Sequence, residues 1–193
     1  MIIKLKLSKE SDEVKEKHVI FFQETAKNQS IDEFIYQGMS LFSQYSIEFY
    51  EVVGYLLREI GFNVSVSREG DTNNRMDAII IDKEYSIPIE IKSPAESEHI
   101  NIKSVRQALE NKIILLSRKF HPTIQEVTSL AIGYKYPETS SNVSESIEDI
   151  YKTFSVKVGI ISFEKLLRLF FEKKVFNTNI NLDEINFLKG QYD

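Results

Sequence analysis

The chain has 193 residues, of which 42% are hydrophobic and 27% are charged, a balance typical of one globular domain and not of a disordered chain. It contains no cysteine, which excludes disulfide scaffolds, thiolate zinc sites and cysteine nucleophiles. The formal charge of -5 gives no overall attraction to nucleic acid, so a nucleic-acid function has to rest on local features.

Targeting and membrane segments are not indicated by the sequence. The opening residues MIIKLKLSKE alternate apolar and basic positions and lack the continuous apolar stretch of a signal peptide. The longest apolar runs fall far short of the roughly 18 residues that span a bilayer. We therefore expect a cytoplasmic protein that makes no membrane contact.

The first 45 residues predict a helical N-terminal extension that follows a short opening strand. Candidate helices cover residues 14–25 and 31–45. The second has a clear start, because Ser30 can act as its N-cap and the acidic residues Asp32 and Glu33 fall in its first turn.

The next segment predicts a helix and three strands. Apolar residues recur at three- and four-residue spacing from 47 to 60, which indicates an amphipathic helix, and Gly61 ends it. Residues 63–67 alternate like a half-buried strand, and the polar residues 68–75 form a loop. Residues 77–81 and 85–93 read as an antiparallel hairpin joined at Asp82-Lys83-Glu84.

The remainder alternates helices and strands. Helices are predicted at 102–117, 145–154, 163–174 and 182–189, and strands at 129–136 and 157–162. The central order is α-β-β-β-α-β. The predicted fold class is therefore α/β, with a mixed central sheet flanked by helices, extra N-terminal helices and a C-terminal α-β-α extension.

The segment SIPIEIKS, residues 86–93, holds the most informative polar pattern. Side chains alternate faces along a strand, so Glu90 and Lys92 share the face opposite Ile87, Ile89 and Ile91. An isolated Glu-x-Lys pair of this kind usually marks a solvated sheet face.

The position of Asp77 suggests a chemical role for Glu90 and Lys92. Asp77 opens the preceding strand, and the tight turn brings that strand back beside Glu90, so two carboxylates can converge at one end of the hairpin. Two acids and a carbonyl form an adequate cradle for Mg²⁺, which keeps several of its waters. Lys92 can then orient or deprotonate a water, or stabilise charge on a phosphate. This set suits metal-assisted hydrolysis of a phosphodiester.

Asp77 and Glu90-Ile91-Lys92 resemble the signature of the PD-(D/E)xK nuclease superfamily, the fold of many restriction endonucleases, and Met76 replaces its nominal proline. The resemblance covers residues 47–136. It implies Mg²⁺, for which Mn²⁺ substitutes, bound by Asp77, Glu90 and the Ile91 carbonyl. It also implies that Glu51 reaches the metal and that Gln107 supports the site, although charged and polar helix residues are more often simply exposed.

A narrower resemblance is to the cleavage domain of Fok-type type IIS restriction enzymes. It rests on the spacing from Asp77 to Lys92 and on the segments VGIISFEKLLRLF and NINLDEINF. Taken with the length of the chain, the wider resemblance predicts a single nuclease domain over 1–193, with a helical extension at 1–45, a catalytic core at 47–136 and a C-terminal extension at 143–193. The narrower resemblance implies a cleavage module without its own sequence-reading domain. Because one nuclease site cuts one strand, a double-strand break predicts a homodimer, or a heterodimer with a second nuclease or DNA-recognition subunit.

Contacts to double-stranded DNA are predicted at two places. The loop 68–75 carries Arg68, Asn73, Asn74 and Arg75, which suit phosphate contacts. Residues 102–121 hold five basic side chains against one acid, and we single out Lys103 and Arg106 among them. The alternative is an ordinary polar loop and a solvated helix face.

Three hypotheses follow for the function. The first is a metal-dependent DNA endonuclease, the cleavage domain or subunit of a type II restriction enzyme, or a related nuclease of DNA repair or another defence system. The second is a non-catalytic DNA-binding or assembly module that keeps the nuclease fold. The third is an α/β domain whose hairpin carries ordinary surface charges.

Overall fold

The computed structural model describes residues 22, 24–43, 47–67, 76–118 and 121–192. Its principal helices are α1 (Ile31–Phe42), α2 (Ile47–Ile60), α3 (Ile102–Leu116), α4 (Val143–Phe154), α5 (Phe163–Val175) and α6 (Leu182–Asn186). Its strands are β1 (Val64–Val66), β2 (Ala78–Ile81), β3 (Ser86–Lys92), β4 (Ser129–Gly133), β5 (Val158–Ser162) and β6 (Gly190–Gln191). The predicted opening strand and most of the predicted helix at 14–25 lie outside the described residues.

The strands form one mixed sheet in the order β1-β2-β3-β4-β5-β6. The first three strands pair antiparallel, and the pairs from β3 to β6 are parallel. The predicted fold class, a mixed central sheet flanked by helices, is confirmed, and so is the core order α-β-β-β-α-β. The short strand β6 was not predicted, because two residues are too few to show a period.

Local signals in the sequence set most of the element ends. Ser30 and Glu33 form a reciprocal capping box at the start of α1. Gly61 ends α2 with a φ of 126°, a conformation that glycine adopts without a steric penalty. The hairpin closes where the Asp82 N–H donates to the Tyr85 carbonyl.

Two predicted elements are shorter in the structure because the chain changes partners. The strand predicted at 129–136 ends at Gly133, and Lys135 pairs with His99 in an isolated parallel bridge. The helix predicted at 182–189 ends at Asn186, after which the chain turns to form β6.

The two faces of the sheet pack against different helices. Ile87, Ile89 and Ile91 of β3 belong to the larger core, which also contains buried residues of α1, α2 and α5. The opposite face carries Glu90 and packs against α3 and α4 through a second core that includes Ala131. The predicted alternation along β3 is therefore confirmed, and it directs Glu90 toward α3.

Lys112 of α3 is one of the five basic residues of the segment 102–121, for which the sequence predicts an exposed basic helix face. That prediction is wrong for Lys112, because its side chain is completely buried. Its Nζ donates to Thr123 Oγ1 at 3.0 Å and to the Ile124 carbonyl at 2.6 Å. Thr123 in turn donates to the carbonyl of Ser86 at the start of β3. Lys112 and Thr123 thus connect the loop before β4 to the sheet through hydrogen bonds.

We expect this lysine to leave a signature in the pH dependence of stability. Burial lowers its pKa from 10.5 to about 8, partly offset by the charge of Glu126. Between those values the unfolded chain binds more protons, so the free energy of unfolding rises with pH by up to about 1.4 kcal/mol per pH unit.

Urea unfolding at pH 7 to 10 measures this rise as the difference between the wild type and Lys112→Met. Lys103 is an exposed lysine of the same helix. The difference in the free energy of unfolding between the wild type and Lys103→Met should therefore not change with pH. A flat difference for Lys112→Met would show that the buried ammonium does not titrate in this range.

Among the described residues, no helix combines the length and the apolar character needed to cross a membrane.

Candidate active site

Asp77 and Glu90 are neighbours at one end of the hairpin. The antiparallel register pairs Ala78 with Ile89, so Asp77, the residue before β2, comes next to Glu90 of β3. One further contact fixes the Asp77 carboxylate, because Oδ2 accepts a hydrogen bond of 2.8 Å from the Ile91 N–H. The Asp77 carboxylate, directly before β2, and the Glu90 carboxylate therefore lie side by side near the carboxyl end of β3.

Glu90 is buried and fully engaged rather than solvated. It is 5% exposed, its Oε1 lies 2.8 Å from Lys92 Nζ, and its Oε2 accepts a hydrogen bond of 3.0 Å from Asn111 Nδ2 of α3. The Lys92 side chain is only 13% exposed. A buried charged pair of this kind requires both partners, because either charge alone is costly to remove from water.

The electrostatics of the site reflect two crowded carboxylates and one cation. Burial, and then the charge of Glu90, raise the pKa of Asp77 from 3.8 to about 7. Burial alone lowers the pKa of Lys92, but its hydrogen bond and charge interaction with Glu90 outweigh burial and raise it above its usual range. The site thus carries an excess of negative charge that a bound cation would relieve.

Glu96 and Tyr50 also belong to this site, and neither was predicted. The Tyr50 hydroxyl of α2 donates to Glu96 Oε2 at 2.7 Å, and Ser93 donates to the same oxygen from its N–H at 2.9 Å and from its hydroxyl at 3.0 Å. The other oxygen, Oε1, lies 3.5 Å from Lys92 Nζ. A third carboxylate therefore faces the lysine from the turn after β3.

These contacts also shift the proton affinities of Tyr50 and Glu96. Burial raises the pKa of Glu96, but hydrogen bonds from Ser93 and Tyr50 outweigh it and hold the pKa below its usual range. Burial and the hydrogen bond to Glu96 raise the pKa of Tyr50. The tyrosine is thus a stable donor to an ionised carboxylate.

The two supporting residues implied by the resemblance occupy different surroundings. Glu51 is half-buried on α2, but the hydrogen bond from this helix to the site comes from its neighbour Tyr50. Gln107 lies four residues before Asn111 and therefore on the same side of α3. Its Oε1 is buried and has no hydrogen-bond partner among the described residues, so it is available to a water or a ligand near the site.

The predicted DNA contacts are only partly described. Arg68, Asn73, Asn74 and Arg75 lie outside the described residues. Lys103 and Arg106 are both exposed in the first two turns of α3, the helix that also supplies Asn111. Basic side chains are thus present on the helix that packs beside Glu90.

The donor set suits a hard divalent cation that keeps its own waters. In the described part of the chain, no group of three or more His, Cys, Asp and Glu residues is arranged to hold a metal ion. Asp77 and Glu90 supply two carboxylates. The Ile91 N–H points toward Asp77, and the carbonyl of a strand residue faces the same side as its N–H. Two carboxylates and one carbonyl match the requirement of Mg²⁺.

Because comparisons with known proteins identify no relative, the function has to be inferred from the geometry of the site. The residues that the geometry brings together are Asp77, Glu90 and Lys92, with Asn111 and Glu96 beside them. The chain matches no protein family, no curated protein and no solved structure.

Proposed function

We propose that this protein is a metal-dependent DNA endonuclease of the PD-(D/E)xK type, the cleavage domain or subunit of a type II restriction enzyme that acts in the cytoplasm. The observation that carries the proposal is the ion pair between buried Glu90 and largely buried Lys92, with Asp77 beside it at the start of β2. Charged residues are rarely buried without a reason. Perturbed carboxyl groups beside a lysine are typical of sites that perform chemistry.

Asp77, Glu90 and the Ile91 carbonyl would hold Mg²⁺, which would supply Lewis acidity toward a phosphate oxygen. Asn111 fixes one oxygen of Glu90, so the carboxylate keeps its orientation. Lys92 orients the attacking water and stabilises the negative charge that develops on the phosphate. The three side chains in these roles, Asp77, Glu90 and Lys92, are already held by contacts with the Ile91 N–H, Asn111 and Glu90 respectively.

Substrate binding requires positive charge outside this acidic centre. Lys103 and Arg106 are exposed on α3 and would contact phosphates of double-stranded DNA. One such site cuts one strand, so a double-strand break requires two copies or a partner subunit. We therefore propose that the protein acts as a homodimer or with a second nuclease or DNA-recognition subunit.

One observation favours a second candidate, a non-catalytic DNA-binding or assembly module. Both oxygens of Glu90 already have partners in Lys92 and Asn111, so the pair can stabilise the fold without a metal. The two candidates differ in whether a cation binds and whether DNA is cut.

Cleavage of supercoiled plasmid at low salt tests the proposal. We expect nicked and linear product with Mg²⁺ or Mn²⁺, none with chelator, and none with Glu90→Gln. Glu84→Gln, which changes an exposed glutamate in the turn of the same hairpin, should cut like the wild type. Linear product that rises more steeply than the protein concentration would indicate dimerisation. Metal binding without cleavage of any DNA, or no metal binding, would favour the non-catalytic module.

A further inference from the structure

Glu96 is a carboxylate whose two oxygens have different surroundings. Oε2 accepts hydrogen bonds from the Tyr50 hydroxyl and from the N–H and hydroxyl of Ser93. Oε1 faces Lys92 Nζ at 3.5 Å. Three donors on one oxygen fix the carboxylate group, so the direction of Oε1 toward the lysine is also fixed.

The ammonium of Lys92 therefore lies between two carboxylates. It contacts Glu90 Oε1 at 2.8 Å, and Glu96 Oε1 is the more distant partner. A lysine side chain has several rotatable bonds, and a single ion pair leaves much of that freedom. Two acceptors on different elements, β3 and the turn after it, restrict the ammonium to one position.

We propose that Glu96 is a positioning residue that holds the Lys92 ammonium in the active site, and that Tyr50 holds Glu96. The inference rests on the proposed function, because it assigns Glu96 a role toward the lysine of that site. When Glu90 engages a cation, Glu96 is the acceptor that keeps the ammonium beside the reacting phosphate. Tyr50 makes this position depend on the hydrogen bond between α2 and the turn after β3.

A purely structural role for Glu96 makes a different prediction. The same hydrogen bonds join α2 to the turn after β3, so their loss would lower stability and leave Lys92 beside Glu90. A positioning role instead predicts a change at the lysine itself. The state of the Lys92 ammonium separates the two roles, and it can be observed without metal or DNA.

The test compares Glu96→Gln with Glu98→Gln, a matched change two residues along the chain at a glutamate that pairs with Lys135 on the surface. In metal-free protein, the Lys92 ammonium should give a resolved ¹H–¹⁵N signal, identified by its loss in Lys92→Met. We expect this signal to shift and broaden in Glu96→Gln and to stay unchanged in Glu98→Gln. Tyr50→Phe should shift it less and in the same direction, whereas Tyr36→Phe, at a residue 76% exposed, should not.

Activity provides the second measurement. We expect kcat of Glu96→Gln to fall about 10- to 100-fold while KM changes by less than about twofold, as for other residues that orient a functional group. A Lys92 signal unaffected by Glu96→Gln would overturn the proposal, and so would a wild-type ammonium that already exchanges freely. If no preparation cuts DNA but the Lys92 signal responds as expected, the nuclease proposal fails and the positioning role stands.

Discussion

Replacing Asp77 by Asn should raise the free energy of unfolding of the metal-free protein by about 2–4 kcal/mol at pH 8. The carboxylate is partly buried and lies beside Glu90, and together these raise its pKa from 3.8 to about 7. Asparagine removes the charge but keeps an oxygen that can accept the hydrogen bond from the Ile91 N–H. The fold is thus expected to gain stability where most buried substitutions lose it.

The stabilising effect should disappear in acid. The pKa of Asp77 is higher in the folded protein, so between pH 3.8 and about 7 the folded state binds more protons than the unfolded chain. Its contribution to stability therefore falls as the pH rises through this window and is lowest above it. The difference between Asp77→Asn and the wild type should be near zero at pH 4 and reach its full value above pH 7.

Urea unfolding from pH 4 to 8, with chelator present, measures this difference. Asp82→Asn is the matched control, because Asp82 is exposed in the turn of the same hairpin, and it should change stability by less than about 0.5 kcal/mol. With Mg²⁺ added, the wild type should gain stability by ligand binding and Asp77→Asn should not. A large loss of stability in Asp77→Asn, with metal affinity unchanged, would identify Asp77 as a structural acid.

Much of the fold could be predicted because its signals are local. The period of the apolar residues sets α2 and α3, and Gly61 marks the end of α2. The turn at 82–84 and the alternation along β3 together predict that Asp77 and Glu90 approach each other, since they fix both the register and the face of each side chain. The proximity of Asp77 and Glu90 could therefore be predicted from the hairpin alone.

The rest of the site depends on packing between layers, which no local pattern encodes. Tyr50 reaches Glu96 across 46 positions of sequence, and Asn111 reaches Glu90 across 21. The burial of Lys112 could not be predicted for the same reason. Its position in the helix is compatible with exposure, and only its contact with the loop before β4 shows that it is buried. Glu96 does carry one weak signal, an acid four residues after Lys92, but such spacing is common in polar loops.

Replacing Lys92 by Met should abolish cleavage and strongly destabilise the protein. Lys92 is the cation that compensates Glu90, whose side chain is 6% exposed. Removing one partner of a buried ion pair leaves an uncompensated charge and costs about 3–5 kcal/mol. Loss of the group that orients the water should lower the cleavage rate by at least about 100-fold. Lys83→Met, an exposed lysine of the hairpin turn, should change neither property.

The double variant Glu90→Gln/Lys92→Met separates stability from catalysis. Neutralising both partners removes the uncompensated charge, and glutamine can still accept the hydrogen bond from Asn111. We therefore expect the double variant to recover most of the stability lost in Lys92→Met, a coupling that a double-mutant cycle measures directly. It should nevertheless remain inactive, because the charges that hold a cation and orient the water are gone. If the double variant is as unstable as Lys92→Met, the ion pair is not the origin of the loss. If it cuts DNA, the chemistry lies elsewhere on the protein.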